Sequence, residues 1–588
     1  MTENESLEMT ENEGLELFGQ KKEPDNEIGW QLYQKSVDFK TGLNIYDTVN
    51  VNENFFIGKQ WEGVESNGLP TPTFNIIKRV VSFITATITS DNIKVTASSL
   101  VHSLNQQESK DLVDIVNDEI RFLFECNRIP ALIRKFARNA AVDGDACIYT
   151  YWDPTVETGQ EAKGGIKSEI ISNLRVHFGN PNDSDVQNQP WIIIEKREEV
   201  RKVKRRAKMN EISTWESIMP DEPHAGIDDV KRTDDKVTVL LMLWRDEETG
   251  SIMAFEFTKN SAVKEPWPIG INMYPITWLS WDTVQDCYHG QAMMTGLIPN
   301  QVFINKSWAM TMLSLMRTAF PKYLYNKTVL KNLDNRIGGA IGYQGGDINN
   351  VIKVVDPAVI SPQVSQLIEL AITETESSLG ATSVALGDTR PDNTSAIIAL
   401  QRAAATPSEM TKQNLYDATE ELSRIYFEFM GEYYGTRTVM LPMPEEMAQV
   451  YEFAGQIAPE KMPTVFDFNT LKLHPMLLKV DVGASTYYSE IASVSTLENL
   501  MRLGAIDIVQ FLERISDDYV PRRRELIEEK KREKEEQRQM MMLQAGMPPE
   551  ATVGAAPEPE AKPDIPQGGG YSALQRKINE TGTTDGIV

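Results

Sequence analysis

Between Cys287 and Leu333 the sequence contains no aspartate or glutamate, although the chain holds 85 of them against 59 lysines and arginines. Within that stretch Ile298, Val302, Ala309, Met312, Leu313, Met316 and Phe320 form a stripe at helical spacing, and Pro321 ends the run. Such spacing puts the apolar groups on one side of a helix. The pattern therefore predicts one long helix with an apolar side and no acidic group anywhere on it. A plain buried core helix would show the same stripe, so the stripe alone does not assign a role.

The rest of the composition narrows the class. With 588 residues and 41% hydrophobic residues the chain can form several cores. A formal net charge of −26 argues against tight gripping of nucleic acid, which depends on Lys and Arg displacing counterions from phosphates. It does not argue against DNA as a passenger, because an acidic wall repels phosphate. Three separated cysteines, Cys126, Cys147 and Cys287, suggest neither a disulfide framework nor a zinc site. The acidic start lacks the basic, apolar profile of a signal peptide. The apolar-leaning stretch Phe74 to Ile88 is broken by Lys78 and Arg79, short of the roughly 20 residues of a membrane span, so a soluble protein is expected.

Along the chain, residues 1 to about 26 read as a disordered acidic arm. One long helix is predicted from Trp30 towards Phe55 and Phe56, followed by helices over Phe74–Ile88, Ser109–Phe124 and Pro130–Val142. Asp143-Gly144-Asp145 makes a turn. Strands follow at Ala146–Trp152, Ile170–Phe178, Trp191–Glu195, Val237–Trp244, Ile252–Phe257 and Ile276–Trp281, with a basic helix-like run from Lys196 to Lys208 among them. After the acid-free helix, a Gly-rich strand-like section leads to a helix opened by Ser361-Pro362. Gly380 to Asn393 reads as a polar loop, and a helical pattern then runs from Thr394 or Ser395 to Tyr434 with a kink at Pro407. Thr438–Tyr488 reads as a small α/β section, Leu497–Leu543 as charged helices, and the chain beyond Gly546 as a disordered tail rich in Pro, Ala, Glu and Gly.

This order resembles that of the portal proteins of tailed bacteriophages, and short motifs carry the resemblance. Tyr288-His289-Gly290-Gln291, then Leu297-Ile298-Pro299-Asn300-Gln301 and Ala319-Phe320-Pro321, are similar to the entry into a portal's first stem helix. Ser361-Pro362, Ser378-Leu379-Gly380-Ala381-Thr382 and Ala385-Leu386-Gly387 are similar to the second stem helix and the channel loop after it. Asn54 to Trp61 and Phe74-Asn75-Ile76-Ile77 are similar to portal openings. The resemblance extends from about Trp30 to Gln544.

The resemblance implies a predominantly helical α+β fold that assembles as a ring, usually of twelve subunits, at one capsid vertex. It implies a wing over 27–286, a first stem helix over 287–320, a clip over 321–360, a second stem helix over 361–380 and a channel loop over 381–394. The long helix and the remainder of the wing would occupy 395–490, the crown 491–545 and the tail 546–588. DNA would face the loop and its entry through Gly380, Thr382, Gly387, Asp388, Arg390, Asp392 and Asn393. The acid-free stripe from Ile298 to Phe320 would pack stem helices together, since identical helices approach more easily when like charges do not meet. Implied partners are further copies of the chain, double-stranded DNA, terminase, major capsid and scaffolding proteins, and head–tail adaptors. The implied location is the virion, after assembly in the host cytoplasm.

Competing chemistry is weak. Gly159 to Ser168 imitates a phosphate-binding loop, but Gly165 and Ile166 separate Gly164 from Lys167, so a polar hairpin is expected and the energy for packaging must lie on another protein. Asp143 and Asp145 offer two carboxylates to a nuclease-type magnesium ion, yet Asp-Gly-Asp is also an ordinary turn. His102, His177, His224, His289 and His474 show no metal-ligand or triad spacing. No catalytic residue, cofactor or metal is expected. Arg197, Arg201, Lys202, Lys204, Arg205, Arg206 and Lys208 read equally as a contact patch for nucleic acid or an acidic neighbour and as a solvated helix face. The charged run Arg522–Arg538 reads as an exposed helix. The rival to a portal is a non-viral intracellular scaffold, and behind it a metal-dependent nuclease.

Overall fold

The computed structural model describes residues 25–66, 68–90, 93–99, 106–159, 162–221, 235–319, 323–326, 328, 347, 352–354, 362–377, 408–442, 461–481, 497–498, 500–502, 506–514, 526–527, 529–530 and 532. The chain divides into two compact units, Met1–Ser489 and Glu490–Val588. Helix exceeds strand among the described residues, and the class is mixed α/β.

The first unit begins with α1 (Asn26–Gly42), whose first N–H groups, Glu27 and Ile28, are capped by the Asp25 carboxylate. The single long helix expected from Trp30 to Phe56 is in fact two. Asn44 adopts a left-handed φ of 54° and starts α2 (Ile45–Ile57) in a new direction. The break has a packing cause: Trp30, Tyr33 and Val37 face one core, while Val49 and Asn52 of α2 are buried elsewhere, and no straight helix serves both.

Four helices and a strand follow in α3 (Ile76–Ile88), β1 (Lys94–Ser99), α4 (Gln106–Cys126), α5 (Ile129–Asp143) and, later, α6 (Val200–Met209). β2 (Asp145–Asp153), β3 (Gly165–Ile171) and β9 (Ile276–Ser280) form a three-stranded antiparallel sheet in the order β3-β2-β9. β4 (Val176–Phe178), β5 (Trp191–Glu199), β6 (Lys236–Arg245), β7 (Ile252–Phe257) and β8 (Ala262–Pro268) form a five-stranded meander. The expected strand Ile170–Phe178 is split by a 3-10 turn, Asn173–Arg175, that Ser172 caps. β8 was not among the expected strands; it carries Pro266 and Pro268 and lies at the sheet edge, where proline is tolerated. The basic run is likewise divided, its first four residues belonging to β5 and the helix starting only at Val200.

The period-2 alternation of the strands builds layers. On β5, Trp191 and Ile193 join α1 on one side while Ile192 and Ile194 face the other. That second face packs on Cys147, Tyr149, Ile276 and Trp278 of the three-stranded sheet. Ala146, Ile148 and Leu279 then point the opposite way into the largest core. There they meet Val80, Ile84, Val116 and Phe136 of the early helices and Leu422, Ile425 and Phe429 of α9 (Glu409–Tyr433). The order of layers is thus α1, five-stranded sheet, three-stranded sheet, helices.

Between β9 and α9 the chain runs through α7 (Met293–Ala319), the antiparallel pair β10 (Tyr323–Tyr325) and β11 (Ile352–Val354), and α8 (Pro362–Ser377). After α9, β12 (Thr436–Pro442) pairs with β13 (Lys461–Asp467), and β14 (Met476–Asp481) returns to pair with β1. In the second unit α10 (Ile508–Arg514) buries Val509 and Leu512.

Candidate functional site

The residues expected to meet DNA, Gly380, Thr382, Gly387, Asp388, Arg390, Asp392 and Asn393, lie outside the described residues, as do Phe320 and the start of the long helix at 394–407. The elements on either side of that loop are described, and they show how α7 and α9 are held.

Entry into α7 is locked by one carboxylate. Asp145 is buried at the start of β2, and its Oδ1 accepts from Ser280 Oγ and from the Gly290 N–H, both at 2.8 Å. Its Oδ2 accepts from His289 Nδ1 at 2.8 Å. A carboxylate accepts only, so the imidazole proton sits on Nδ1. Burial holds His289 below the usual histidine range even though Asp145 pulls the other way. Tyr288 fills the space beneath, stacked against Phe39 and packed on Phe178 and Trp278. Gly144 is required twice over: its φ is 97°, and a Cβ there would lie 2.7 Å from the Gly290 carbonyl oxygen. The Tyr288–Gln291 motif is therefore the latch between β2, β9 and α7. Both oxygens of Asp145 are thus engaged within the fold. Asp143 stands apart at the end of α5, raised to about 7 by burial and by the Glu53 carboxylate, with Arg138 opposing. Among the described residues no group of three His, Cys, Asp or Glu is placed to hold a metal ion.

The first half of α7 is anchored by amides rather than charges. Gln301 Oε1 accepts from the N–H groups of Ile76 and Ile77, at 3.1 and 3.3 Å, and so caps α3. Its Nε2 donates to the Phe74 carbonyl at 2.6 Å and to Asn305 Oδ1 at 2.9 Å. Asn305 Nδ2 donates to Gln60 Oε1 at 2.6 Å, and Gln60 Nε2 to the Phe55 carbonyl. Asn75 Nδ2 closes the circle on the carbonyls of Phe55 and Phe56. Segments around residues 54–61, 74–77 and 297–305, distant in sequence, are one junction. Gln60, Asn75 and Asn305 were not singled out from the sequence. Gln60 and Asn75 lie within the motifs of the resemblance and Asn305 lies four residues beyond Gln301, and their amides have meaning only once the three segments meet.

The second half of α7 differs. Ala309 is buried and Ile298, Val302 and Leu313 are partly buried, but Met310, Leu315 and Met316 are 59%, 61% and 55% exposed, and Met312 is exposed as well. α8 packs against α7 and also exposes Leu367 and Leu370, at 52% and 55%. The predicted stripe is thus part core and part open apolar surface.

α9 is set by its own buried face and by Glu421, which accepts from Gln187 Nε2 at 3.1 Å and is raised to about 7 by burial. Ser168, from the phosphate-loop imitation, lies on β3 and shares a 2.7 Å hydrogen bond with Tyr426 of α9, while Lys167 is paired with Asp153 across the hairpin. Neither is placed to cradle a phosphate.

The basic run sorts into two groups. Arg197 is committed to Asp221 and Thr238 within the sheet, and Arg206 bridges Glu198 and Glu256. Lys204 donates to the Glu216 carbonyl. Arg201, Lys202, Arg205 and Lys208 are exposed, with Val203 and Ala207 buried on the opposite face.

Residues 191–449, from the start of β5 through β12 and a little under half of the chain, match the family model of the phage P22-like portal protein. No curated protein matches the chain. No described helix is long and apolar enough to cross a membrane.

Proposed function

We propose, on the match to the phage P22-like portal family model, that the chain is a tailed-phage portal protein and forms the ring channel at one capsid vertex through which DNA is packaged and ejected. The match over residues 191–449 carries this reading, because it takes in α7, β10, β11 and α8 as well as most of the five-stranded sheet. The family is structural rather than enzymatic, and we assign the chain no catalytic role.

In this reading α7 and α8 are the two stem helices, the β10–β11 pair belongs to the clip, the sheets and α9 to the wing, and the second unit to the crown. The apolar surface on α7 and α8 supports it, since a helix that exposes Leu315, Met316, Leu367 and Leu370 needs a covering surface. The segment 381–394, with Gly380 at its entry, would line the channel. Twelve copies at −26 each give a wall of about −310 formal charges, which favours sliding over sticking. Terminase would dock first and head–tail adaptors later, with capsid and scaffolding proteins around the ring in the virion after assembly in the host cytoplasm. The outward residues of α6 would contact an acidic neighbour or nucleic acid.

The test is the mass of the purified chain in solution with negative-stain imaging of the largest species. Closed rings of about twelve subunits with a hole of about 20 Å or more support the reading. A monomer that persists with capsid and scaffolding proteins present overturns it in favour of a non-viral intracellular scaffold.

A further inference from the structure

α6 is a cationic helix in an acidic protein. Its ten residues carry Arg201, Lys202, Lys204, Arg205, Arg206 and Lys208 and no carboxylate. Arg201, Arg205 and Lys208 recur at intervals of four and three, so they form one stripe, opposite the buried Val203 and Ala207. Arg206 is committed to Glu198 and Glu256, whereas the stripe faces outward.

The start of the chain has the complementary charge. Residues 1–20 hold Glu3, Glu5, Glu8, Glu11, Glu13 and Glu16 and no Lys or Arg. The described chain starts close to the exit from α6. Asn26 Nδ2 donates to the Lys259 carbonyl in the β7–β8 turn. That turn is also where the chain leaving α6 docks: Ser217 Oγ donates to the Asn260 carbonyl, Thr214 Oγ1 and Ser261 Oγ are 2.7 Å apart, and Asn210 Nδ2 donates to the Val263 carbonyl. A ten-residue helix is about 15 Å long, and 24 residues of extended chain reach about 80 Å, so the segment spans α6 with length to spare.

We propose that the acidic segment of residues 3–16 docks in cis along the Arg201–Arg205–Lys208 stripe of α6 and masks it from other polyanions. This rests on the described placement of α6 and Asn26, not on the ring reading, and holds for an isolated subunit. The competing occupant within the chain is segment 222–234, which returns to the start of α6 where the Asp235 carbonyl accepts from the Val200 N–H. It carries Glu222, Asp228, Asp229 and Asp234 but also Lys231 and Arg232, which makes it the weaker counter-charge.

The experiment is carbodiimide cross-linking of the full chain in low salt, read by mass spectrometry on an equal mixture of isotopically heavy and light protein. Alongside it, anisotropy of a labelled random-sequence DNA duplex is measured for the full chain and for a chain lacking residues 1–20. Expected are links from Glu11, Glu13 or Glu16 to Lys202, Lys204 or Lys208 within one isotope class, lost in 0.5 M salt, and at least tenfold tighter duplex binding after the deletion. The exposed triple variant Arg201→Glu, Arg205→Glu, Lys208→Glu should cut the link yield at least fivefold and abolish the gain in duplex binding, with an unchanged circular dichroism spectrum. Links to α6 only from Asp228, Asp229 or Asp234, links only between heavy and light chains, or a deletion that leaves duplex affinity unchanged would each overturn the proposal.

Discussion

Lys40 shows how much one side chain can hold. It is fully buried on α1, and its three N–H bonds go to the carbonyls of Asn173, Leu174 and Val176, at 2.8, 3.1 and 2.6 Å. Burial lowers its ammonium to about 7, yet those acceptors satisfy the charged form completely. Lys40→Met would take the ammonium donor from all three carbonyls, of which only that of Asn173 is known to keep another, the Val176 N–H, and should destabilise the first unit by about 3–5 kcal/mol in urea denaturation. Asp143 works in the opposite sense. Its carboxyl rises from 3.8 to about 7 in the fold, so between those values the folded chain binds more protons than the unfolded one and stability falls as pH rises. Asp143→Asn should remove that part of the slope, gaining about 1–3 kcal/mol over the parent at pH 8 and almost nothing at pH 4. Glu421, raised to about 7 by burial, keeps a residual slope of the same sign.

At the scale of elements, α7 is two devices in one helix. Its first half is fixed to α3 and to the segment after α2 through Gln301, Asn305 and Gln60, all neutral, so no charge is buried at the junction. Gln301→Leu strips the cap from α3 and two partners from the network, and should cost about 2–4 kcal/mol by thermal or urea unfolding. The second half exposes its apolar groups, and there substitution should separate folding from assembly. The pair Leu315→Glu and Met316→Glu should leave the unfolding midpoint of the isolated subunit within about 0.5 kcal/mol of the parent while abolishing rings in negative stain. Rings formed at parental yield would show that this surface is not the one covered in the assembly.

For the whole molecule the dominant quantity is charge. At −26 per subunit, the proposed ring would concentrate repulsion that salt relieves, because the screening length falls from about 14 Å at 50 mM to about 4 Å at 500 mM. The ring fraction measured by sedimentation should therefore rise across that range. A fraction that falls with salt would mean that attraction between opposite charges, rather than apolar contact, closes the ring.

Several properties follow from local pattern alone. The apolar spacing of α3, α4 and α5, the alternation along β2 and the apolar runs of β5 and β6 required nothing beyond neighbouring residues, because helix and strand periods are set by the backbone. The acid-free run marked α7, and the order of motifs pointed to the family, before any contact was known. Long-range contact decided the rest. Asn44 turns α1 into α2 only because two separate cores claim their faces. β8 is a strand despite its prolines because it lies at a sheet edge. Arg197 and Arg206 are paired rather than free charges, because carboxylates from β5, β7 and the segment before β6 close on them. The Asp145 latch and the Gln301 junction join residues more than a hundred positions apart, and a hydrogen bond between such partners leaves no period or spacing in the sequence for a local reading to find.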